Sequence, residues 1–417
     1  MLIFTSLLAF YLAWNLGAND VANSMGTSVG SKAVTLRQAL VIAGILEFTG
    51  AVLFGRNVSE TLATKIVNPT LFSDRPTVLL VGMVAVLIAC GVWLNVATVF
   101  GLPVSSSHAV VGAIAGFAWV AVGPGAVDWQ SIERISLTWV ATPIVSGAIA
   151  ALFYSAVKRW ILDQSDPLAQ LQQWIPWLSA ALLGVFGVIV LPTLTRPLQV
   201  WLSTQVGWSL PAHDLPIAIG AIATLGLSLA SWQQLESLTK QKIPSPTERL
   251  LARFQVISAC FVAFAHGSND VGNAIAPLAA IAHILRTGSV PLDGFRVPLW
   301  ILVIGALGIV AGLAVLGKKV IATVGEGIIS LQPSGGFCAE LATALTVLLA
   351  SRLGLPVSTS HALVGGVVGI GLVKNARSIQ LKTLGPIALA WVVTIPITAG
   401  LSALLFTLGC ELIVQSV

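Results

Sequence analysis

The sequence predicts an all-α integral membrane protein of about twelve transmembrane helices, built from two inverted-topology repeats whose broken helices meet near the bilayer midplane. Three observations predict it: the composition, a series of apolar windows, and an internal duplication.

Of the 417 residues, 56% are hydrophobic and only 9% are charged, and the mean hydropathy is +0.93. No ordinary water-soluble domain has this balance. The net charge of +5 is scattered, which suits loops facing anionic lipid and argues against nucleic acid as a partner. Cys90, Cys260, Cys338 and Cys410 stand singly without a C-x-x-C pair, so they predict packing residues and neither a disulfide framework nor a metal cage.

A spanning helix needs roughly 20 mainly apolar residues. Windows that satisfy this lie near 1–24, 36–55, 77–100, 104–122, 136–159, 174–203, 212–231, 250–284, 298–317, 337–353, 357–373 and 384–412. The first sixteen residues hold no Lys or Arg ahead of the apolar run and no cleavage site follows, so they read as a spanning helix and not a signal peptide. The stretch QQLESLTKQKIPSPTERL, 233–250, is the longest polar interruption and reads as a linker between halves. With twelve full crossings and both termini extracytoplasmic, the excess of Lys and Arg falls on the cytoplasmic side, at residues that include Lys32, Arg37, Lys158, Arg159, Lys240, Arg249, Arg253, Lys318 and Lys319. If windows 104–122 and 357–373 dip in and return, that bias disappears, so the count favours full crossing.

Two motifs occur twice. L-G-A-N-D-V-A-N-S at 16–24 matches H-G-S-N-D-V-G-N-A at 266–274, and G-L-P-V-S-S-S-H-A-V-V-G at 101–112 matches G-L-P-V-S-T-S-H-A-L-V-G at 354–365. Each second motif precedes a Trp-containing helix with a central proline, TWVATPIVSG at 138–147 and AWVVTIPITAG at 390–400, and GAVLFGRNV at 50–58 resembles GLAVLGKKV at 312–320. The expected organisation is a transport repeat at 1–160, two intervening helices at 161–232, a cytoplasmic linker at 233–249 and a second repeat at 250–417. Seven crossings separate the two starts, an odd number, so the copies are upside down relative to one another. That is a transporter architecture.

Asn19 and Asn23 lie four apart on one helical face, with Asp20 about 100° around from the first, and Asn269, Asp270 and Asn273 repeat the pattern. Gly26, Gly30 and Pro277 follow as helix breakers, whose freed carbonyls would join the side-chain oxygens in holding a hard cation. Six such residues in duplicate, two of them aspartates that are expensive to bury, exceed what helix-to-helix hydrogen bonding needs. In the second motif Pro103 and Pro356 suit a helix start. Ser105, Ser106 and Ser107, and then Ser358, Thr359 and Ser360, place hydroxyls in a first turn that favours an oxyanion. One such cluster is ordinarily an N-cap; two in inverted copies point to function.

No Lys or Arg falls within the four motifs. A monovalent oxyanion with two ionised aspartates is about two positive charges short of neutral, after two helix N-termini contribute roughly +0.5 each. Two co-transported cations would supply them. Glu47 and Glu340 are the other acids inside apolar windows, at non-equivalent places: Glu47 aligns near Ile309 and Glu340 near Leu87. Each reads as a coupling or proton-relay group, or as a protonated packing residue. His108 and His361 close the serine clusters and either shuttle protons or secure the turn.

Through G-A-N-D-V-A-N, G-S-N-D-V-G-N-A-I-A-P-L and the two G-L-P-V-S-x-S-H segments, nearly the whole chain resembles the inorganic phosphate transporter (Pit) family of secondary carriers. The resemblance implies phosphate uptake driven by a sodium or proton gradient, a homodimer in the cell membrane, no cofactor and no enzymatic activity. It implies that Asp20, Asn23, Ser105, Ser106, Ser107, Asp270, Asn273, Ser358, Thr359 and Ser360 bind phosphate. It also implies that Asn19, Asp20, Asn23, Asn269, Asp270 and Asn273 bind sodium, and that Glu47 and Glu340 serve coupling. Many proton-coupled bacterial members have His-Asp in the first motif where this chain has Asn19-Asp20, which resembles the sodium-dependent branch. The long cytoplasmic insert of animal members is absent. Proton-coupled, metal-phosphate or sulfate carriage stays open, whereas an intramembrane hydrolase or a passive anion channel would not need both motifs twice.

Overall fold

A computed structural model describes residues 1–208, 211–292, 294–324 and 329–414. Fourteen α-helices and no strand form among them: α1 Leu2–Gly30, α2 Leu36–Phe54, α3 Arg56–Thr64, α4 Pro76–Val99, α5 Ser106–Val122, α6 Trp129–Val157, α7 Pro167–Ile189, α8 Leu191–Trp201, α9 Asp214–Lys240, α10 Pro246–Thr287, α11 Leu299–Val324, α12 Pro333–Arg352, α13 Thr359–Asn375 and α14 Leu381–Val414. Local chemistry marks several starts. Thr35 and Gln38 close a capping box before α2, Asp128 accepts from the Ser131 N–H at 3.0 Å to begin α6, and Asp166 with Pro167 begins α7.

All twelve apolar windows are helical, and ten helices are long and apolar enough to cross a membrane. The windows at 104–122 and 357–373 are α5 and α13, of 17 residues each. At about 25 Å such a helix is shorter than the ~30 Å hydrocarbon core. Full crossing, expected from the Lys and Arg count, is not reached by either helix alone. Each packs back on the helix before it, α4 with α5 and α12 with α13, as a hairpin whose turn ends in buried residues, Val104–Ser105 and Val357–Ser358. Whether both arms of a hairpin cross or both return to their own side, the number of crossings between the copies stays odd.

Two other expectations change. α1 and α10 run unbroken through Gly26 and through Pro277, because neighbouring helices pack around those residues on all sides. The chain breaks instead at 100–105 and 353–358, and Pro103 and Pro356 lie in those extended turns, ahead of the first helical residues Ser106 and Thr359. The polar stretch 233–249 is mostly helical: α9 continues to Lys240, which pairs with Glu236 at 2.7 Å, and only 241–245 connect it to α10. The side chains of Lys318 and Lys319, and residues 415–417 of the second repeat, lie outside the described residues.

The copies interlock. α1 packs on α11 and α10 on α2; α13 packs on α6 and α5 on α14, so each copy's motif elements are clasped by the other copy. The close approaches repeat as well. A Cβ at Gly17 would run into the Ile309 carbonyl and one at Gly267 into the Glu47 carbonyl; Gly365 meets Pro143 as Gly112 meets Ile395. Small residues at such crossings let backbones touch where lipid leaves little hydrophobic drive for association. The first pair of contacts places Glu47 and Ile309 at equivalent positions, as the sequence alignment had them.

Candidate functional site

The two hairpin turns meet at the centre of the bundle, against the middles of α1 and α10. Asn19 donates from Nδ2 to Thr98 Oγ1 at 3.2 Å and to the Leu102 carbonyl at 3.1 Å. Asn269 does the same to Ser351 Oγ at 3.0 Å and the Leu355 carbonyl at 3.1 Å. Only an amide N–H can donate to a carbonyl, so the turns fix which way both amides face. The oxygens are left pointing elsewhere. Asn19 Oδ1, Asn269 Oδ1, Asn273 Oδ1, Asp20 Oδ2 and Asp270 Oδ1 are buried with no hydrogen-bond partner among the described residues. Buried polar atoms are ordinarily satisfied; five orphaned oxygens on two facing motifs are a donor set that suits a hard cation.

Ser105 and Ser358 cap α5 and α13, each accepting from the backbone N–H of the histidine three residues on at 3.3 Å. The hydroxyls that follow turn towards α10. Asn273 donates to Ser106 Oγ and Ser107 Oγ at 3.1 Å each, Ser107 donates to the Val357 carbonyl at 2.8 Å, and Thr359 donates to Asp270 Oδ2 at 2.8 Å. Ser358 and Ser360 share a bond of 2.8 Å, and Asn23 donates to Asp20 Oδ1 at 3.1 Å. All twelve duplicated motif residues are therefore buried in one region where the N-termini of α5 and α13 converge.

His266 was not singled out by the sequence, yet it sits at the middle of this region. Its Nδ1 lies 3.2 Å from Glu47 Oε2 and its Nε2 lies 3.0 Å from Asp270 Oδ2, both ion-pair distances, and Asp20, His266 and Asp270 offer atoms within 4.8 Å of one another. Ser24 donates to the other oxygen of Glu47 at 2.9 Å. No Lys or Arg is among the buried described residues, and His266 is the imidazole that lies beside both aspartates. The signal was present in the duplication, where His266 occupies the place of Leu16.

Glu340 lies apart from that cluster, held by four donors: Thr27 at 2.5 Å, Ser28 at 2.7 Å, Gln255 at 3.2 Å and Ser258 at 2.9 Å. It ties α12 to α1 and α10. His108 and His361 fasten the hairpins to the opposite copy, with Nδ1 3.0 Å from the Trp391 and Trp139 carbonyls respectively and the rings against those tryptophans at 3.9 Å (His108 to Trp139) and 3.7 Å (His361 to Trp391). Of the two readings of these histidines, the turn-securing contact is the one the geometry displays.

Comparison with known proteins follows the same lines. The sequence model of the phosphate transporter family matches residues 16–402. A putative phosphate permease of Haemophilus influenzae is 39% identical over 406 residues, covering 96% of this chain and 95% of that protein. The chloroplastic inorganic phosphate transporter 2-1 of Arabidopsis thaliana is 39% identical and covers 96% of this chain and 70% of its own length. A solved structure described as the sodium-dependent phosphate transporter superposes with a TM-score of 0.87 at 35% identity, over 98% of each chain.

Proposed function

Since the chain belongs to the phosphate transporter family, we propose that it imports inorganic phosphate by symport with sodium through alternating access. It is a multi-pass membrane transporter and not an enzyme. The observation that carries the sodium reading is the set of five orphaned oxygens on Asn19, Asp20, Asn269, Asp270 and Asn273, beside two capped helix N-termini.

In this reading the hydroxyls of Ser106, Ser107, Thr359 and Ser360, with Asn23 and Asn273, hold the phosphate where the N-termini of α5 and α13 offer partial positive charge. Ser105 and Ser358 act one step back, as caps that define those N-termini. Sodium occupies the amide and carboxylate oxygens of the Asn-Asp motifs and offsets the aspartates, so that neither charge is buried alone. His266 supplies part of the countercharge that the sequence count had assigned wholly to cations. Glu47 positions His266, while Glu340 couples movement of hairpin α12–α13 to α1. Both termini face the extracytoplasmic side, which puts Lys32, Arg249 and Arg253, grouped around one cavity, in the cytoplasm. A homodimer is the working assembly.

The test is uptake of labelled phosphate into proteoliposomes under an imposed sodium gradient, then under a proton gradient without sodium. Sodium-dependent uptake that fails in both Asp20→Asn and Asp270→Asn bears the proposal out. The pair Glu47–His266 favours one second reading, proton coupling, and uptake driven by protons alone would replace the sodium seat with it. No phosphate uptake under either gradient, with sulfate uptake instead, would overturn the substrate.

A further inference from the structure

A cavity of about 450 Å³ opens beside the turn of hairpin α12–α13. Three segments distant in sequence bring cations to its wall: Lys65 after α3, Arg296 before α11, and Arg352 at the last residue of α12. All three are exposed, and Glu60 is the one acid among the described lining residues. Asn57 and Thr61 add polar groups. The floor is the turn itself, since Gly354 lines the cavity, Asn269 grips the Leu355 carbonyl from below, and Ser358 caps α13 three residues further on.

The other copy shows that the turn does not need this charge. Val99 occupies the place of Arg352 and is followed by Phe100, both 75% exposed, and that hairpin makes the same Asn19 contacts to its turn. Arg352 is held from two sides: its guanidinium donates to Thr193 Oγ1, and its carbonyl accepts from Asn57 Nδ2 at 3.4 Å. Arg352 is one of the positions at which the two copies differ.

We infer that Lys65, Arg296 and Arg352 form an anion-collecting vestibule that binds phosphate weakly before hairpin α12–α13 admits it to the central site. The inference rests on the proposed function, and on the orientation that turns α3 and the loop before α11 outward. Like-signed charge on the walls of a cleft raises local counter-ion concentration and on-rate by roughly 10 to 10³, and it is screened by salt. At the equivalent turn of the first copy, Val99 and Phe100 carry no charge.

Two readouts test it. In liposomes of zwitterionic lipid, Arg296→Gln and Arg352→Gln together should raise the KM for phosphate about tenfold, with the maximal rate within about twofold, and Arg352→Lys should restore most of the loss. The second readout needs no transport. With the four native cysteines replaced by alanine and Thr61→Cys introduced, a negatively charged methanethiosulfonate should react at least about tenfold faster than a positively charged one. Millimolar phosphate should slow the negative reagent, and the two Gln substitutions should bring the rates together. Preference and phosphate protection in a protein that fails to transport phosphate would keep the vestibule and remove the function. Equal reagent rates, or a KM effect seen only when anionic lipid is present, would overturn the vestibule, the latter by assigning these cations to a lipid phosphate.

Discussion

The two copies make the same backbone contacts with different chemistry. Where the second-copy motif helix carries His266 against Glu47, the first-copy helix carries Leu16 against Ile309, at the same glycine crossing. Where Glu340 is surrounded by Thr27, Ser28, Gln255 and Ser258, the equivalent Leu87 has Pro277, Leu278, Thr5 and Leu8 in the matching positions. Where Arg352 ends one hairpin arm, Val99 ends the other. The apolar versions show that the scaffold closes without these groups. Burying an ion costs several kcal/mol before any partner repays it, and intramembrane ionisable residues are kept for function. In the proposed reading the shared residues, Asn-Asp and Ser/Thr, build the site, and the unshared ones give it direction and coupling.

The largest expected effect lies in the shared set. Asp20→Asn and Asp270→Asn should each lower sodium-driven phosphate uptake by more than about 100-fold, as befits a charge that must meet a desolvated cation; a variant that keeps near-normal uptake would break the equivalence of the copies at their centre. Next comes a conversion of one copy into the other. His266→Leu alone leaves Glu47 buried without its partner and should cost about 3–5 kcal/mol of stability. His266→Leu with Glu47→Ile should regain most of it while uptake stays low. Thermal unfolding in detergent, paired with uptake, reads both, and a double variant that transports normally would make the asymmetry ornamental.

Glu340→Gln should retain a carbonyl acceptor for most of its four donors, so unfolding moves little while the maximal rate falls about tenfold, about 1.4 kcal/mol on the barrier. Thr98→Ala and Ser351→Ala each remove one of two bonds that orient an asparagine amide. At about 1 kcal/mol the sodium concentration for half-maximal uptake should rise about fivefold in both; a rise in only one would sharpen the comparison by showing which copy holds the weaker cation. The smallest effect falls on the caps, where Ser105→Ala and Ser358→Ala should each destabilise by about 1 kcal/mol, measured as matched shifts in unfolding midpoint.

Much of this was legible in one dimension. Membrane class followed from composition, helix positions from apolar length, and the motif residues from repetition, because each of these is a local pattern along the chain. His266 was legible in principle as a departure from the repeat at Leu16, and Arg352 likewise at Val99. The location of the breaks was not: Gly26 and Pro277 look like breakers, but α1 and α10 continue through them with helices packed around, while the chain turns at 100–105 and 353–358.

The sequence by itself determined that this is a duplicated helical membrane protein with Asn-Asp and Ser/Thr clusters at matching places in two inverted copies. Tertiary structure alone decided which amide oxygens are left without partners, that His266 meets Glu47 and Asp270, that Glu340 gathers donors from α1 and α10, and that three separated cations share a cavity at one hairpin turn. The physical reason is that a buried polar group's state depends on its neighbours across helices. Most of those neighbours lie far along the chain, some in the same copy, as Thr98 and Leu102 do for Asn19, and some in the opposite one, as Thr27 and Ser28 do for Glu340.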